Sequence, residues 1–278
     1  MIKALTYWLK RSRLFFTNWR AMEQQRYWEQ TMANERYADP KRLLRFGAKA
    51  YSQNDEDGIL AEIFRRIGAR DQTFIEIGTG AGLENNTLAL LLQGWRGLWI
   101  DGDKTKVARA RSQVESYVGS GQLRIEGTFV TRANADELLL NLGPGAEPDL
   151  LSIDVDGNDY HVWQAVQSIS PRVVVVEYNA SWFPPMSLAI SYRERFEWKE
   201  NTYFGASLKA LELLAERKGY HLVGCCFAGA NAFFVRADLC GSHFSEPYTA
   251  ENHYEPARYW MLRTAGHSPG VGPVERVE

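Results

Sequence analysis

The sequence has 278 residues, of which 45% are hydrophobic and 24% are charged, and its formal net charge is −2. This balance is typical of a globular protein, and the length suits one α/β domain with additions at its ends. The near-neutral charge gives no electrostatic reason to expect nucleic acid as a partner, and no apolar run reaches the roughly eighteen residues of a membrane-spanning helix. The three cysteines form no visible disulfide framework, which favours a reducing, cytoplasmic location.

The start of the chain, residues 1–46, is predicted to form a helical extension. Residues 1–20 carry basic side chains but no acid, and the first acid is Glu23. Several apolar residues there can share one face of a helix: Ile2, Leu5, Leu9, Phe16 and Trp19, helped by Trp8 and Phe15. That face could pack on its own domain or on a second subunit, or it could lie on the anionic inner face of a membrane. Both interpretations stay open.

Residues 73–82 read TFIEIGTGAG, an apolar run with an acid near its end that leads into three glycines at alternate positions. The pattern predicts a buried strand, a tight loop and a helix over residues 84–93. Glycine permits positive φ and close approach of a ligand, and ligands of open α/β sheets bind beyond the carboxyl ends of the strands. Leu83 stands where a dinucleotide-binding turn has Gly or Ala, and the Lys-Ser/Thr pair of a P-loop is absent. The loop therefore predicts a nucleotide-binding turn of another kind.

A second buried strand is predicted over residues 97–103, and it ends in acids. Asp101 lies 23 residues after Gly78. An acid at the end of the second strand can accept hydrogen bonds from both hydroxyls of a ribose, as in Rossmann-type sites. Asp103 is a competing candidate for this role, or it caps the next predicted helix, residues 104–117.

Acidic and amide side chains crowd around the ends of two further predicted strands. The fourth strand ends at Asp154, and residues 154–159 include three acids and Asn158. The fifth strand, residues 172–176, is followed by Glu177 and then, two residues later, by an asparagine. These ends are neighbours in an open parallel sheet, and acids gathered there are costly unless they bind a cation, a donor-rich ligand or a proton. Hard oxygen ligands of this kind suit Mg²⁺.

The segment of residues 178–204 is an insertion rich in aromatic residues. Aromatic rings stack well on sugars, and an aromatic lid would keep water away from a reaction. The same rings would serve equally well in a small satellite core under a long loop. The sequence does not choose between these interpretations, because both use the aromatic side chains in the same way.

The remaining pattern predicts the end of the sheet. A third strand is expected over residues 122–130, and an amphipathic helix over residues 205–218. Strands over residues 220–225 and 231–236 have the spacing of a hairpin. The tail from residue 241 is polar and aromatic, and its last dozen residues are expected to be disordered.

Three stretches carry a resemblance to a known family. The acid-x-Gly-x-Gly-x-Gly of residues 76–82 resembles the first motif of Rossmann-like methyltransferases that use S-adenosylmethionine (SAM). Residues 52–57, SQNDED, resemble the Ser-Gln-x-x-Glu-Asp signature of FkbM-type methyltransferases, although Ser52 could equally cap a helix running to about Ile67. Residues 152–160 resemble the Ile-Asp-Val-Glu-Gly segment of the same family. The chain therefore resembles an FkbM-like class I SAM-dependent methyltransferase.

The resemblance implies an α/β fold. Its sheet is the seven-stranded, Rossmann-like SAM methyltransferase sheet in the order 3-2-1-4-5-7-6, with strand 7 reversed, and the closing hairpin predicted above fits that order. The methyltransferase domain would cover residues 47–240, including the aromatic insertion. The helical extension of residues 1–46 would precede this domain, and a tail of residues 241–278 would follow it.

The resemblance also implies a cofactor, SAM, and a set of residues around it. In the family the glycine loop packs against the methionine part of SAM, and a polar residue after the third strand often meets the adenine amine. Asp136 is that polar residue here, unless it belongs only to the first turn of the following helix. The implied cofactor-binding residues are Gln53, Glu76, Gly78, Gly80, Gly82, Asp101 and Asp136.

The implied reaction is transfer of a methyl group to a hydroxyl, expected on a sugar of a bacterial surface polysaccharide or of a glycosylated metabolite. A hydroxyl acceptor needs a group to take its proton, and Asp156 is favoured because it lies in a loop, ahead of Asp154 and His161. Metal-dependent O-methyltransferases resemble the chain at the crowded strand ends. That second likeness would make Asp154, Glu177 and Asn179 ligands of Mg²⁺ or a similar ion.

Two rival functions remain open from the sequence. A nicotinamide-dependent sugar oxidoreductase is disfavoured by Leu83, by the terminal hairpin and by the lack of an obvious Tyr-x-x-x-Lys. A methyltransferase fold without catalysis, serving complex assembly or membrane attachment, is disfavoured by the intact glycine loop and by Asp101.

Overall fold

Within residues 2–259, the part of the chain that the computed structural model describes, seven strands form one mixed sheet in the order β3-β2-β1-β4-β5-β7-β6. The side chains of residues 2–11, 13 and 14 are not described. The strands are β1 Thr73–Ile77, β2 Arg96–Ile100, β3 Leu123–Glu126, β4 Leu150–Ile153, β5 Val173–Glu177, β6 Tyr220–Cys225 and β7 Asn231–Arg236. Strands β1 to β5 pair in parallel, and β7 runs antiparallel to both β5 and β6. The predicted order and reversed strand are confirmed.

Helices cover both faces of this sheet. They are α1 Ile2–Met32, α2 Glu56–Ile67, α3 Leu88–Leu92, α4 Lys104–Gln113, α5 Glu115–Gly119, α6 Ala135–Leu142, α7 Asp159–Ala165, α8 Leu208–Arg217, α9 Ala237–Cys240 and α10 Ala250–His253. Two 3₁₀ turns, Glu35–Tyr37 and Leu43–Phe46, connect α1 to the domain.

Successive residues of the central strands supply two separate cores. In β5, Val174 packs on one face with Trp163 of α7, and Val175 packs on the other face with Trp99 of β2. Side chains alternate across a strand, so a continuous apolar run is needed where both faces are covered. This explains why β5 reads as four consecutive valines, all of them buried.

Several predicted boundaries move in the structure, among them the end of β2, at Ile100 instead of residue 103, and the start of α8, at Leu208 instead of residue 205. α3 begins at Leu88 instead of residue 84, because the preceding residues turn around the buried carboxylate of Glu76. The predicted helix of residues 104–117 is broken at Val114 into α4 and α5. β3 stops at Glu126 instead of residue 130, and the residues that follow it turn along a cavity wall.

The two ends of the chain differ in how they pack. α1 is a single long helix, as expected for the start of the extension, and it ends at Met32. The structure does not describe the side chains of residues 2–9, which belong to the predicted apolar stripe. Residues 241–259 fold back onto the domain and bury Phe244 and Glu255. The disorder expected for the last dozen residues lies outside the described part. Every helix within residues 2–259 is too short or too polar to cross a membrane.

Candidate active site

A cavity of about 1060 Å³ opens at the carboxyl ends of β1, β2 and β4. It lies where the sheet order turns back on itself, between β1 and its neighbours, which is the place where open α/β sheets bind ligands. Its walls come from the glycine loop after β1, the turns after β2 and β3, the loop after β4, and the aromatic insertion. Gln53, from the predicted signature before α2, also lines it.

Close packing explains two of the three glycines in the loop. A Cβ atom on Gly78, whose φ is +86°, would lie 1.5 Å from the backbone oxygen of Asp154 at the end of β4. A Cβ atom on Gly82 would lie 2.9 Å from the ring of Trp99. Gly78 and Gly80 line the cavity, but Gly82 does not, so Gly82 serves the packing of the loop and not a contact with a ligand.

Glu76 does not line the cavity, and its buried carboxylate instead binds the residues that follow the glycine loop. Its side chain is only 2% exposed, and its carboxylate accepts hydrogen bonds from Asn85 Nδ2 at 3.0 Å and from the backbone N–H of Asn86 at 2.8 Å. Thr87 donates to the same carboxylate through its backbone N–H, at 3.1 Å, and through its hydroxyl. Burial raises the pKa of Glu76 to about 7, against the pull of these four donors.

We expect Glu76→Gln to destabilise the protein by about 1–3 kcal/mol, because an amide nitrogen cannot accept the hydrogen bonds of the loop. Since the folded pKa is raised from 4.5 to about 7, the stability contributed by Glu76 is fully present below pH 4.5 and is lost as the pH rises to about 7. Urea unfolding should therefore show a difference between wild type and variant that narrows over this pH range. Glu84→Gln, an exposed acid of the same loop, is the matched control, and an equal loss in both variants would contradict the role of Glu76.

Asp101 occupies the position that the sequence predicted for a ribose-binding acid. It lines the cavity, is 9% exposed, and accepts hydrogen bonds from the N–H of Gly80 and of Asp103, both at 2.8 Å. One bond falls on each carboxylate oxygen, so each oxygen keeps a lone pair for a ligand. Asp103 caps α4 by accepting from the N–H of Thr105 and Lys106, and these bonds hold the pKa of Asp103 below its usual value.

Asp136 lies away from the cavity, contrary to the expectation of an adenine contact. Its carboxylate accepts the N–H of Gln167 and of Ser168, both at 2.6 Å, and so ties α6 to the segment after α7. Phe129 lines the cavity wall after β3 instead, and a Cβ atom on Gly102 would lie 2.6 Å from its ring. No sequence signal pointed to Phe129, because the predicted strand of residues 122–130 includes it, whereas β3 ends at Glu126.

Three acids meet at the ends of β4 and β5. Oxygen atoms of Asp154, Asp159 and Glu177 all lie within 4.8 Å of one another. Asp159 accepts the N–H of Val155 at 2.8 Å and of Gly157 at 2.9 Å, whereas Glu177 Oε2 is buried without a hydrogen-bond partner. Burial, reinforced by mutual repulsion, raises the pKa of Asp154 and Glu177 well above their usual values, and burial raises that of Asp159 to about 6.

Two predicted site residues are used elsewhere. The amide nitrogen of Asn179 donates to two backbone carbonyls of the insertion, and its oxygen accepts the N–H of Ser181 at 3.0 Å. It therefore has no part in the acid cluster, where Asp159 stands instead. His161 does not line the cavity, and its Nε2 lies 2.8 Å from the backbone oxygen of Ile190.

The loop after β4 presents Asp156 to the cavity. Its φ of +56° is unusual for a residue with a side chain, and such strained positions cluster at functional sites. Desolvation raises the pKa of Asp156, and the Lys106 ammonium acts in the opposite direction. Two further lining residues, Thr79 and Asn158, are each 4% exposed, and their side-chain oxygens have no hydrogen-bond partner among the described residues.

The aromatic insertion supplies part of the cavity wall. Phe196, Glu197 and Trp198 line the cavity, and a Cβ atom on Gly157 would lie 2.4 Å from the ring of Phe196. Phe204 is buried, with its ring centroid 5.9 Å from that of Trp198. The segment therefore contributes aromatic side chains to the cavity wall, while its use as a lid or as a satellite core stays a prediction.

The signature before α2 serves two purposes. Ser52 Oγ accepts the N–H of Asp57 at 3.2 Å, and the Asp57 carboxylate accepts the N–H of Ser52 at 2.8 Å. This reciprocal pair holds the turn before α2, but α2 begins at Glu56 and its N-cap residue is Asp55, not Ser52. Gln53 meanwhile lines the cavity.

The sheet order, with its reversed strand, is that of the Rossmann-like SAM-dependent methyltransferase fold. Solved structures similar to this chain include a SAM-dependent methyltransferase from Aquifex aeolicus, with 15% identity, a TM-score of 0.39, and coverage of 70% of this chain and 92% of that chain. The magnesium protoporphyrin IX methyltransferase from Synechocystis PCC 6803, solved with bound SAM, has 13% identity, a TM-score of 0.43, and coverage of 66% and 79%. An O-methyltransferase from Bacillus cereus in complex with S-adenosylhomocysteine has 17% identity, a TM-score of 0.34, and coverage of 58% and 66%.

Comparison with protein-family models gives no match, and neither does comparison with curated proteins. The likeness to the solved structures, at these identities, concerns the fold alone.

Proposed function

We propose that this protein is a SAM-dependent O-methyltransferase, FkbM-like in kind, that acts on a hydroxyl group. The observation that carries the proposal is the cavity at the point where the strand order of the sheet reverses. There the backbone N–H of Gly80 donates a hydrogen bond to the Asp101 carboxylate. Thr79 and Asn158 line the same cavity beside the glycine loop. A glycine loop and a strand-two acid together fit a nucleoside ligand.

The residues present fit SAM in three respects. The free lone pairs of Asp101 suit the ribose hydroxyls, the ring of Phe129 offers an apolar platform for adenine, and the backbone around Gly80 leaves open space for the methionine part. When bound, SAM supplies a methyl group activated by the positive charge on sulfur. The chain itself must orient the acceptor and accept its proton.

We expect Asp101→Ala to weaken SAM binding by about tenfold to a hundredfold, because the variant loses charge-assisted hydrogen bonds of about 1.5–3 kcal/mol. Calorimetric titration of the full chain with SAM and with S-adenosylhomocysteine measures this loss. Asp136→Ala is the matched control, since Asp136 was predicted for the site but lies off the cavity, and its binding should equal that of wild type. A wild-type protein that binds neither ligand would refute the enzyme proposal and favour a non-catalytic role.

Asp156 is the proposed general base. It stands at the cavity, its raised pKa brings it closer to that of an effective base, and Lys106 nearby keeps its charged form available. Asp154 also lines the cavity and is the second candidate, although its position in the acid cluster gives it competing partners. His161 is not proposed as the base, because it does not line the cavity.

We expect Asp156→Asn to lower the rate of methyl transfer by about 10²–10⁴-fold while leaving the SAM dissociation constant within about twofold, as for loss of a general base. The measurement follows transfer of labelled methyl from SAM to a panel of glycosides and polysaccharide extracts. His161→Gln, which alters a side chain away from the cavity, is the matched control. Equal rates for Asp156→Asn and wild type would transfer the role to Asp154.

The proposed acceptor is a sugar of a bacterial surface polysaccharide or of a glycosylated metabolite. Phe196 and Trp198 bring two aromatic rings to the cavity, and Glu197 between them brings a hydrogen-bond acceptor. Sugars present apolar C–H faces and hydroxyl edges, which suit such a combination. The three cysteines are free and buried, in keeping with a cytoplasmic site of action.

The acid cluster fits a divalent cation such as Mg²⁺. Asp154, Asp159 and Glu177 offer carboxylate oxygens at mutual distances that one ion can span, and the buried Oε2 of Glu177 lacks another partner. These three residues would hold the ion, and the chemistry it would supply there is Lewis-acid polarisation of an oxygen ligand. Asn179, named from the resemblance, is not part of the proposed ligand set because both ends of its amide are engaged.

Titration with Mn²⁺ as a spectroscopic substitute for Mg²⁺ tests the cluster, and we expect wild type to bind one ion. Glu177→Gln should reduce the affinity for Mn²⁺ by about tenfold or more, because it removes a charged ligand. Glu197→Gln removes a carboxylate from another wall of the same cavity and is the matched control. Failure of wild type to bind Mn²⁺ would mean that the three acids share protons instead of a cation.

A further inference from the structure

An apolar stripe on α1 is exposed to solvent. Phe15, Trp19 and Met22 follow the i, i+4, i+7 spacing of one helix face, and they are 65%, 55% and 63% exposed. Phe16 lies beside them and is 63% exposed. Exposed clusters of large apolar side chains mark interaction surfaces in soluble proteins, whereas single exposed ones need no explanation.

The opposite face of the same helix attaches α1 to the domain. Trp28 packs against a small core that includes Tyr37 and Phe227, and Gln24, one turn earlier, is only 6% exposed. Trp19 and Trp28 are nine residues apart, which is two and a half turns, so they lie on opposite sides of the helix. The stripe therefore points away from the domain and cannot be completed by the domain's own core.

The charged residues in the first part of α1 are all basic. Residues 1–22 contain five basic residues and no acid, although the whole chain has a net charge of −2. The stripe ends where the polar pair Glu23 and Arg26 begins, joined by an ion pair of 3.0 Å. The basic residues are Lys3, Lys10, Arg11, Arg13 and Arg20.

We propose that residues 2–22 of α1 lie on an anionic lipid bilayer, with the stripe of Phe15, Trp19 and Met22 at the level of the headgroups. Helices that carry aromatic side chains on one face and several basic residues bind such surfaces, and aromatic rings favour the boundary between headgroups and acyl chains. A second copy of this chain would bring together two segments of five positive charges each, which repel, whereas anionic lipid attracts them. The charge therefore favours lipid over self-association as the cover of the stripe.

Flotation of the full chain with vesicles tests the proposal. We expect binding to vesicles of phosphatidylcholine mixed with phosphatidylglycerol, little binding to phosphatidylcholine alone, and weaker binding as salt rises because the attraction is screened. The triple variant F15S/F16S/W19S should lose binding by about tenfold or more, since it removes the apolar contribution while leaving the basic residues in place. Circular dichroism checks that the triple variant is folded. The three substituted side chains are exposed, so their replacement should leave the fold intact.

Phe183→Ser is the matched control, because Phe183 is 58% exposed but belongs to the aromatic insertion and not to α1. Its binding to anionic vesicles should equal that of wild type. Absence of binding by wild type overturns the proposal. Sedimentation equilibrium gives the other overturning result: a wild-type dimer that becomes a monomer in the triple variant, without vesicle binding in either, would make the stripe a contact between copies.

Discussion

The carboxylate of Glu76, buried at the end of β1, is the constraint on which the candidate site depends. Four donors from the three residues 85–87 converge on it, and they can do so only if the chain turns back under the glycine loop before α3 begins. That turn fixes the loop, and the loop in turn places the N–H of Gly80 on Asp101. A single buried charge therefore determines both the wall of the cavity and the direction of its principal acid.

A second concentration of acidic side chains lies at the ends of β4 and β5, and of its three members Asp154 lines the cavity. The carboxylates lie close together on Asp154, Asp159 and Glu177. Among the described residues, little hydrogen bonding offsets their burial beyond the two backbone N–H groups that donate to Asp159. Such an arrangement costs free energy in the unliganded protein, because desolvated like charges raise one another's pKa. The cost is reduced by protons, by a cation or by a donor-rich ligand.

The strands, the glycine turn and the position of Asp101 could be predicted from the sequence because they follow from local patterns: apolar runs, glycine spacing and an acid at a strand end. The strand order was implied by the resemblance to SAM-dependent methyltransferases and is confirmed. The resemblance also implied site roles for Asp136 and Asn179, which do not line the cavity. Both follow strands closely enough to be candidates, but the direction of each side chain is set by contacts distant in sequence, with the segment after α7 and with the far end of the insertion. Phe129 was missed for a related reason, since its place over Gly102 depends on where β3 stops.

The contact between Phe196 and Gly157 links two parts of the site that are separate in sequence. Gly157 immediately follows Asp156, the proposed base, and the ring of Phe196 fills the space that a side chain at Gly157 would need. If the insertion moved to admit an acceptor of the proposed reaction, it would disturb the support of the loop that carries the proposed base. Under the proposed function, the position of Phe196 would therefore affect both access to the cavity and the position of Asp156.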